Sequence, residues 1–232
     1  MSSRQKKVRT VLDLVKSQDR ISLTAPECKT ICDAYDIPTP REGVARSATE
    51  AVGIANDIGY PVVMKIISPD ILHKTEADGV LIGISDSEEV AAGYENITSN
   101  AKAYKSDADI TGVQIQAMVA SDGQEVIVGA VTDPSFGKLV AFGLGGILVE
   151  VLKDITFRLA PVNTDDAQSM LNSIQAAEVL DGVRGSEAID RNALVKIIVN
   201  VSELIGDFQE IQEIDLNPIL ADANGATAVD AL

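Results

Sequence analysis

The stretch PVVMKIISPDILHKTEADGV, Pro61 to Val80, decides the fold. Pro61–Ile67 is an apolar run that reads as a buried strand, with Lys65 set inside it. A lysine flanked by Val62, Val63, Met64, Ile66 and Ile67 is costly to bury unpaired. It either clamps phosphate oxygens in a nucleotide site or snorkels from an edge strand. Ser68–Ala77 follows as a polar loop, and Gly79–Ser85 alternates as a second strand. The loop holds His73, the single histidine of 232 residues, beside Lys74. Histidine suits proton and phosphoryl work when partners surround it, and is otherwise an ordinary loop residue. Any partners have to come from the rest of the chain.

Upstream, residues 4–18 alternate basic and apolar positions at helical spacing, a short lead helix. Thr24 and Glu27 form a capping pair, and Cys28, Ile31, Cys32 and Tyr35 then recur at i, i+3, i+4, i+7. Pro38 ends that helix. Ser47 with Glu50 opens the next helix, which Gly59 and Pro61 stop; Asp86 with Glu89 opens one that runs to about Tyr104. Downstream the chain is rich in strands. These are Thr111–Val119, Glu125–Val131, Lys138–Phe142, Ile147–Leu152 and Ile155–Leu159, with turns at Ser121–Gly123 and Asp133–Gly137. Helices follow near 165–174 and 191–206, then a strand at Ile211–Leu216. The Asn224–Gly225 pair before Ala226–Asp230 signals a closing hairpin. The expected architecture is α+β, a compact body carrying a smaller α/β lobe.

Net charge is −16, from 35 acidic and 19 basic residues. Such a chain repels nucleic-acid backbones and anionic membranes. It remains compatible with a nucleotide, because a few lysines and Mg²⁺ neutralise phosphates locally. No apolar run reaches the length of a membrane span, and the N-terminus does not read as a secretory signal. Cys28 and Cys32 share one helix face, too local to staple a fold, so a reducing cytoplasm is expected. Aromatic residues make up 3% of the chain, with no Trp. Purine selection is therefore expected to rest on backbone and apolar contacts.

Four constellations carry candidate chemistry. Asp215 and Asn217, two apart on a strand, point to one face, and Asp230 lies near the end of the partner strand. Oxygen donors in that arrangement suit Mg²⁺; they also fit ordinary strand-end polarity. The run FGLGG, 142–146, allows close backbone approach to a ligand or simply a tight turn. It matches neither GxGxxG nor a P-loop. Lys65 is the third. Glu125, which starts a strand after Gln116-Ala117-Met118, either accepts ribose hydroxyls or pairs with a neighbouring cation. Backbone groups near Ala117 and Met118 would then meet an adenine edge.

The order of these features resembles that of the ATP-grasp fold, in which two lobes hold a nucleotide between them. Within it, GYPVVMKIISPDILHKTEADGV, EVIVGAVTDPSFGKLVAFGLGGILVEVLKDITFRLAP and EIDLNP resemble the β subunits of ADP-forming acetyl-CoA synthetases (acetate–CoA ligases). These are relatives of succinyl-CoA synthetase. The resemblance covers nearly the whole chain, from LTAPECK at 23 to EIDLNPIL at 213–220. One departure is Asp36 in AYDIP, where the family often has glycine; aspartate tolerates left-handed backbone better than most residues.

The resemblance implies three regions: an N-terminal helix at 1–24 packing on the second lobe, a small lobe at 25–106 and a larger lobe at 107–232. It implies that Lys65 binds nucleotide phosphates and that His73 becomes transiently phosphorylated. Asn217 and Asp230 match Mg²⁺ ligands, and Gln116, Ala117, Met118 and Glu125 match nucleotide contacts. Asp215 matches an acidic position that orients the phosphohistidine. Ser68, Lys74, Gly143, Gly145 and Gly146 are the expected phosphate and loop positions. The implied reaction is acyl-CoA + ADP + phosphate ⇌ carboxylate + CoA + ATP, by a phosphohistidine relay. A CoA-binding α subunit with its own catalytic histidine would complete the enzyme, as α₂β₂. Two rivals stand beside it: a regulatory synthetase-like domain of a protein acyltransferase system, and a stand-alone ATP-grasp carboxylate ligase.

Overall fold

The computed structural model describes residues 1–71, 73–119, 123–146, 154–183 and 187–231. They fall into two units. The smaller holds Asp19–Glu27 and Pro40–Val119; the larger holds Met1–Gln18, Cys28–Thr39 and the described residues beyond Val119. The boundaries expected at 24 and 106 rest on local pattern alone. Hydrophobic periodicity marks where a strand lies but not which sheet it joins, and the strand at Gly112–Ala117 sits inside the first sheet. Ser121 and Asp122 of one expected turn, the expected strand at 147–152 and Lys153 lie outside the described residues.

The lead helix α1 (Ser3–Ser17) starts from a capping box between Ser2 and Gln5 and buries Val8 and Val15. Arg4 stacks 4.6 Å over the Tyr35 ring and pairs with Glu203 at 2.7 Å. Arg9 lies 5.2 Å over the Phe208 ring and pairs with Glu210. Cation–π contact and ion pairing thus tie α1 to the larger unit. Helix α2 (Ala25–Ala34) buries Cys28, Ile31 and Cys32, and both cysteines are free thiols. After it, the Tyr35 hydroxyl donates to Asp207 at 2.5 Å. Burial, then Asp207, push that phenol well above its ordinary range. Asp36 adopts φ 51°, and Asn200 donates to its carbonyl at 3.2 Å. Asp36 therefore does take the left-handed backbone that aspartate tolerates.

In the smaller unit, β1 (Glu42–Ala45), α3 (Ala48–Ile58), β2 (Val62–Ile67), β3 (Val80–Ile84), α4 (Ser87–Tyr104) and β4 (Gly112–Ala117) follow in chain order. The sheet order is β1-β4-β2-β3, every pair antiparallel. Ser47 and Asp86 cap α3 and α4 as their sequences predict, and Gly59, at φ 96°, ends α3. One sheet face carries Val62, Met64, Ile66, Val113 and Ile115 into a core shared with Ala51, Ala55, Val90 and Ile97 of the two helices. Each fully buried aliphatic side chain contributes about 2 kcal/mol.

The larger unit continues with β5 (Gln124–Asp133), β6 (Gly137–Leu144), β7 (Ile155–Leu159), α5 (Thr164–Ser173), a short 3₁₀ turn (Ala177–Asp181), α6 (Arg191–Asp207), β8 (Glu213–Asp222) and β9 (Gly225–Ala228). Its antiparallel order is β7-β6-β5-β8-β9, and α6 packs on β5 and β6. Strand β8 runs well past the expected end at Leu216. Its register slips at one point: Val128 faces Leu216, while Val126 faces Ile219. The extra residue is a β-bulge, and it switches the buried positions from Ile214 and Leu216 to Ile219 and Ala221. The hairpin signalled by Asn224–Gly225 forms, with Asp222 paired to Gly225.

Candidate functional site

In the smaller unit, Lys65 pairs with Gln114 across β2 and β4, and Gln116 pairs with Glu42 across β4 and β1. Directly opposed residues share a sheet face. Lys65, Gln114, Gln116 and Glu42 therefore form one polar row, on the face away from the helices. Lys65 is 8% exposed, Gln114 3% and Gln116 4%. Glu42 Oε2 accepts both amides, from Gln114 Nε2 at 2.8 Å and Gln116 Nε2 at 3.0 Å. Beyond Gln116, the Ala117 N–H donates to the Arg41 carbonyl at 2.8 Å and the Met118 N–H to the Pro61 carbonyl at 3.2 Å. Neither N–H is available to a base. What Ala117 and Met118 can offer is acceptors or apolar contact.

The His73 segment is tied at both ends. Ser68 Oγ, in a buried side chain, accepts the Asp70 N–H at 3.1 Å. The Asp70 carboxylate accepts the Asp109 N–H at 2.7 Å and pairs with Lys105 at 3.2 Å. Those two contacts, the backbone donor first, hold its carboxyl below the ordinary range. Ile71 and Ala77 are 2% and 3% exposed and belong to the core. At the far end the Gly79 N–H donates to the Lys74 carbonyl at 2.8 Å, and Asn100 donates to the Asp78 carbonyl at 3.1 Å. Between these ties His73 is exposed and Lys74 half-buried.

In the larger unit, Glu125 is exposed at the start of β5, and its carbonyl accepts the Gly145 N–H at 2.8 Å. Gly146 has φ 62°, and a Cβ there would lie 2.8 Å from Glu125 Oε2. A Cβ at Gly143 would lie 2.7 Å from the Asp154 carbonyl. The close approach these glycines permit is to the chain's own backbone and to Glu125. Asp215, half-buried on β8, accepts a hydrogen bond from the exposed Asn217. Burial, then Glu213, then Asp230 push its carboxyl up, against that bond. An isolated bridge between Leu216 and Ala231 brings the Asp230 segment alongside.

Asp215, Asn217 and Asp230 thus meet, as their spacing predicts. Among the described residues no cluster of three His, Cys, Asp or Glu side chains could by itself hold a metal ion. Mg²⁺ asks for less, usually one or two carboxylates supplemented by water and substrate phosphates. Two carboxylates, Asp215 and Asp230, with the Asn217 amide beside them, offer the oxygen donors Mg²⁺ takes, so this donor set fits it.

Three participants escaped the sequence reading. Glu42 sits in PREGV, which reads as a loop. Gln114 left a trace as the polar alternation VQIQ, the pattern of any half-buried strand. Asp154, buried, accepts the N–H groups of Gln175 and Ala176 at 2.7 and 2.9 Å and anchors the segment after α5.

A model of the ATP-grasp domain family matches residues 14–232. The β subunit of acetate–CoA ligase [ADP-forming] I from Pyrococcus furiosus is 48% identical over 225 residues, covering 97% of this chain and 96% of that one. A structure of acetyl-coenzyme A synthetase 1 from Ca. Korarchaeum cryptofilum, in complex with coenzyme A, Ca-AMPCP and HgCl+, superposes with a TM-score of 0.93 at 38% identity. It covers 96% of this chain and 97% of that one. A second structure of that synthetase holds coenzyme A and Mg-AMPPCP, its phosphohistidine segment pointing towards the nucleotide-binding site. It matches with a TM-score of 0.85 at 35% identity and covers 97% of each chain. With its family match spanning nearly the whole length, and its likeness to the separate subunit extending end to end, the chain belongs to the ATP-grasp family, among the β subunits of ADP-forming acetate–CoA ligases.

Proposed function

We propose that this chain performs the nucleotide half of acyl-CoA + ADP + phosphate ⇌ carboxylate + CoA + ATP, with His73 as the phosphoryl carrier. The observation that carries the reading is the chain's only histidine, exposed between two tied ends of a segment that follows the Lys65 strand. In the ATP-forming direction the P–N bond of phosphohistidine breaks as a P–O bond forms to the terminal phosphate of ADP. The imidazole is left free to be charged again. Such a transfer asks the protein for positioning and charge compensation rather than covalent work at other residues.

Each residue then has a task. Lys65, with Ser68 and Lys74, faces phosphate oxygens. Gln116, Ala117, Met118 and Glu125 contact the nucleoside, and the backbone at Gly143, Gly145 and Gly146 lies along the phosphates. Asn217 and Asp230 hold Mg²⁺, which when bound offsets phosphate charge and aligns the transferring group. Asp215 hydrogen-bonds the other ring nitrogen of His73 and fixes the tautomer. The small lobe carries Lys65 and His73; the larger lobe carries the cation ligands.

The finer partnership belongs to the same reading. A CoA-binding α subunit with its own histidine would supply acyl transfer, in an α₂β₂ assembly. The subunit naming of the Pyrococcus relative supports a partner. The buried free thiols support a reducing cytoplasm. The test is His73→Ala in the reconstituted enzyme. Turnover should fall at least ~1,000-fold, since no other group can take the phosphoryl, while Mg-ADP binding persists. Full activity would favour a stand-alone ligase that forms an acyl phosphate directly.

A further inference from the structure

Among the described residues, Gln114 Oε1 is a buried side-chain oxygen without a hydrogen-bond partner. Its residue is 3% exposed. The orientation of the amide is fixed chemically. Gln114 Nε2 lies 2.8 Å from the Glu42 carboxylate, and exchanging N for O would set a carbonyl against that carboxylate. The same carboxylate takes Gln116 Nε2 at 3.0 Å, which turns the second amide the same way. Glu42 therefore holds one amide hydrogen from each of two neighbouring glutamines and fixes which way the Gln114 oxygen is turned. The N–H groups of Ala117 and Met118, at the end of the same strand, are also spent within the unit.

A buried carbonyl oriented by a carboxylate and left without a donor costs stability in the free protein. Such an orphan has a use when a ligand supplies the donor. We propose that Gln114 is a nucleotide-contacting residue whose carbonyl accepts a hydrogen bond from the nucleoside, with Glu42 as its positioning residue. This rests on the nucleotide reading of the Lys65 strand, since Gln114 stands directly opposite Lys65. The chemistry demanded is an N–H or O–H donor. A nucleoside diphosphate offers two kinds: the exocyclic amino group of adenine and the sugar hydroxyls. The expectation from composition, that base selection rests on backbone and apolar contacts, is thereby amended by one side-chain amide.

The test is Gln114→Met in the full chain, read by calorimetric ADP binding with Mg²⁺ and by thermal melting without nucleotide. Methionine keeps the length of the side chain and removes the orphaned oxygen. The proposal expects ADP affinity to fall about tenfold, the worth of one well-made hydrogen bond, beside a lowered nucleotide-free Tm from loss of the Nε2 bond to Glu42. A purely structural glutamine would lower the Tm and leave affinity intact, and would overturn the proposal. Inosine diphosphate, 2′-deoxyadenosine diphosphate and 3′-deoxyadenosine diphosphate identify the donor. The penalty should vanish with the analogue that lacks it: the first for the amino group, the second for the 2′-hydroxyl, the third for the 3′-hydroxyl. A penalty retained in full with all three would mean that Gln114 acts through Lys65 and would overturn direct contact. If the wild-type chain binds no nucleotide, the nucleotide reading itself falls and this inference with it. If wild type binds and Gln114→Met binds equally well, only this inference falls.

Discussion

In the smaller sheet one carboxylate, Glu42, accepts hydrogen bonds from the amides of two buried glutamines. In the larger sheet Asp215 shares its face with Glu213 and lies near Asp230, and Asn217 donates to it. Both rows stand on antiparallel strands, and both contain an acid beside an amide. They differ in what they lack. The Glu42 row is short of a donor, at Gln114 Oε1. The Asp215 row is short of positive charge. Under the proposed function a nucleotide would supply the first and its cation the second. A site can be read from what its residues leave unsatisfied as well as from what they bind.

The contrast can be broken most sharply at Glu42. Glu42→Ala strips two amides of their charged acceptor, so unfolding by denaturant should show a loss of about 2–3 kcal/mol. A loss below a few tenths would mean the row is held by other contacts. A smaller effect is expected at Glu27, a carboxylate neutralised by Arg20 at 3.0 Å and by the Thr24 N–H at 2.7 Å. Burial alone would raise it, but Arg20 and Thr24 prevail and hold its carboxyl below the ordinary glutamate range. A depressed carboxyl stabilises the fold above the unfolded pKa, and the contribution is lost as pH falls through the folded value. Between pH 5 and 3 the wild type should therefore lose more Tm than Glu27→Gln, and parallel curves would dismiss the pairing.

The smallest effect has the opposite sign. Asp215→Asn removes a charge that burial and its acidic neighbours disfavour. The Mg²⁺-free Tm should rise, by less than about 1 kcal/mol in stability because the residue is half exposed. Saturating Mg²⁺ and nucleotide should erase the gain. A fall in Tm without Mg²⁺ would show that the cluster is satisfied as it stands. Acid-to-neutral changes at Glu42 and Asp215 thus separate a hydrogen-bonded row from a crowded one by sign alone.

Much of this was legible in the chain. The Lys65 strand, the His73 loop, the caps at Ser47 and Asp86 and the closing hairpin are local, and local pattern carries them. The alternation of Asp215 and Asn217 was equally plain. What escaped depends on pairing. The strand at Gly112–Ala117 reads as an element of the second block, yet it completes the first sheet. The bulge in β8 is set by how β5 meets it, and no spacing within β8 announces it. Glu42 matters only because β1 lies against β4 and brings it to Gln114 and Gln116. A glutamate in a loop-like sequence gives no hint of that. Glycines 143, 145 and 146 were legible as close approach, but their nearest neighbours, Glu125 and Asp154, come from other strands and loops.

The most direct test of the phosphoryl relay is to incubate the chain with Mg-ATP, alone and with its CoA-binding partner, and map acid-labile phosphate by mass spectrometry. The account predicts one phosphate, on His73, discharged by added ADP and absent when Mg²⁺ is chelated. No phosphate on His73 under either condition, in protein that binds Mg-ADP, would contradict it.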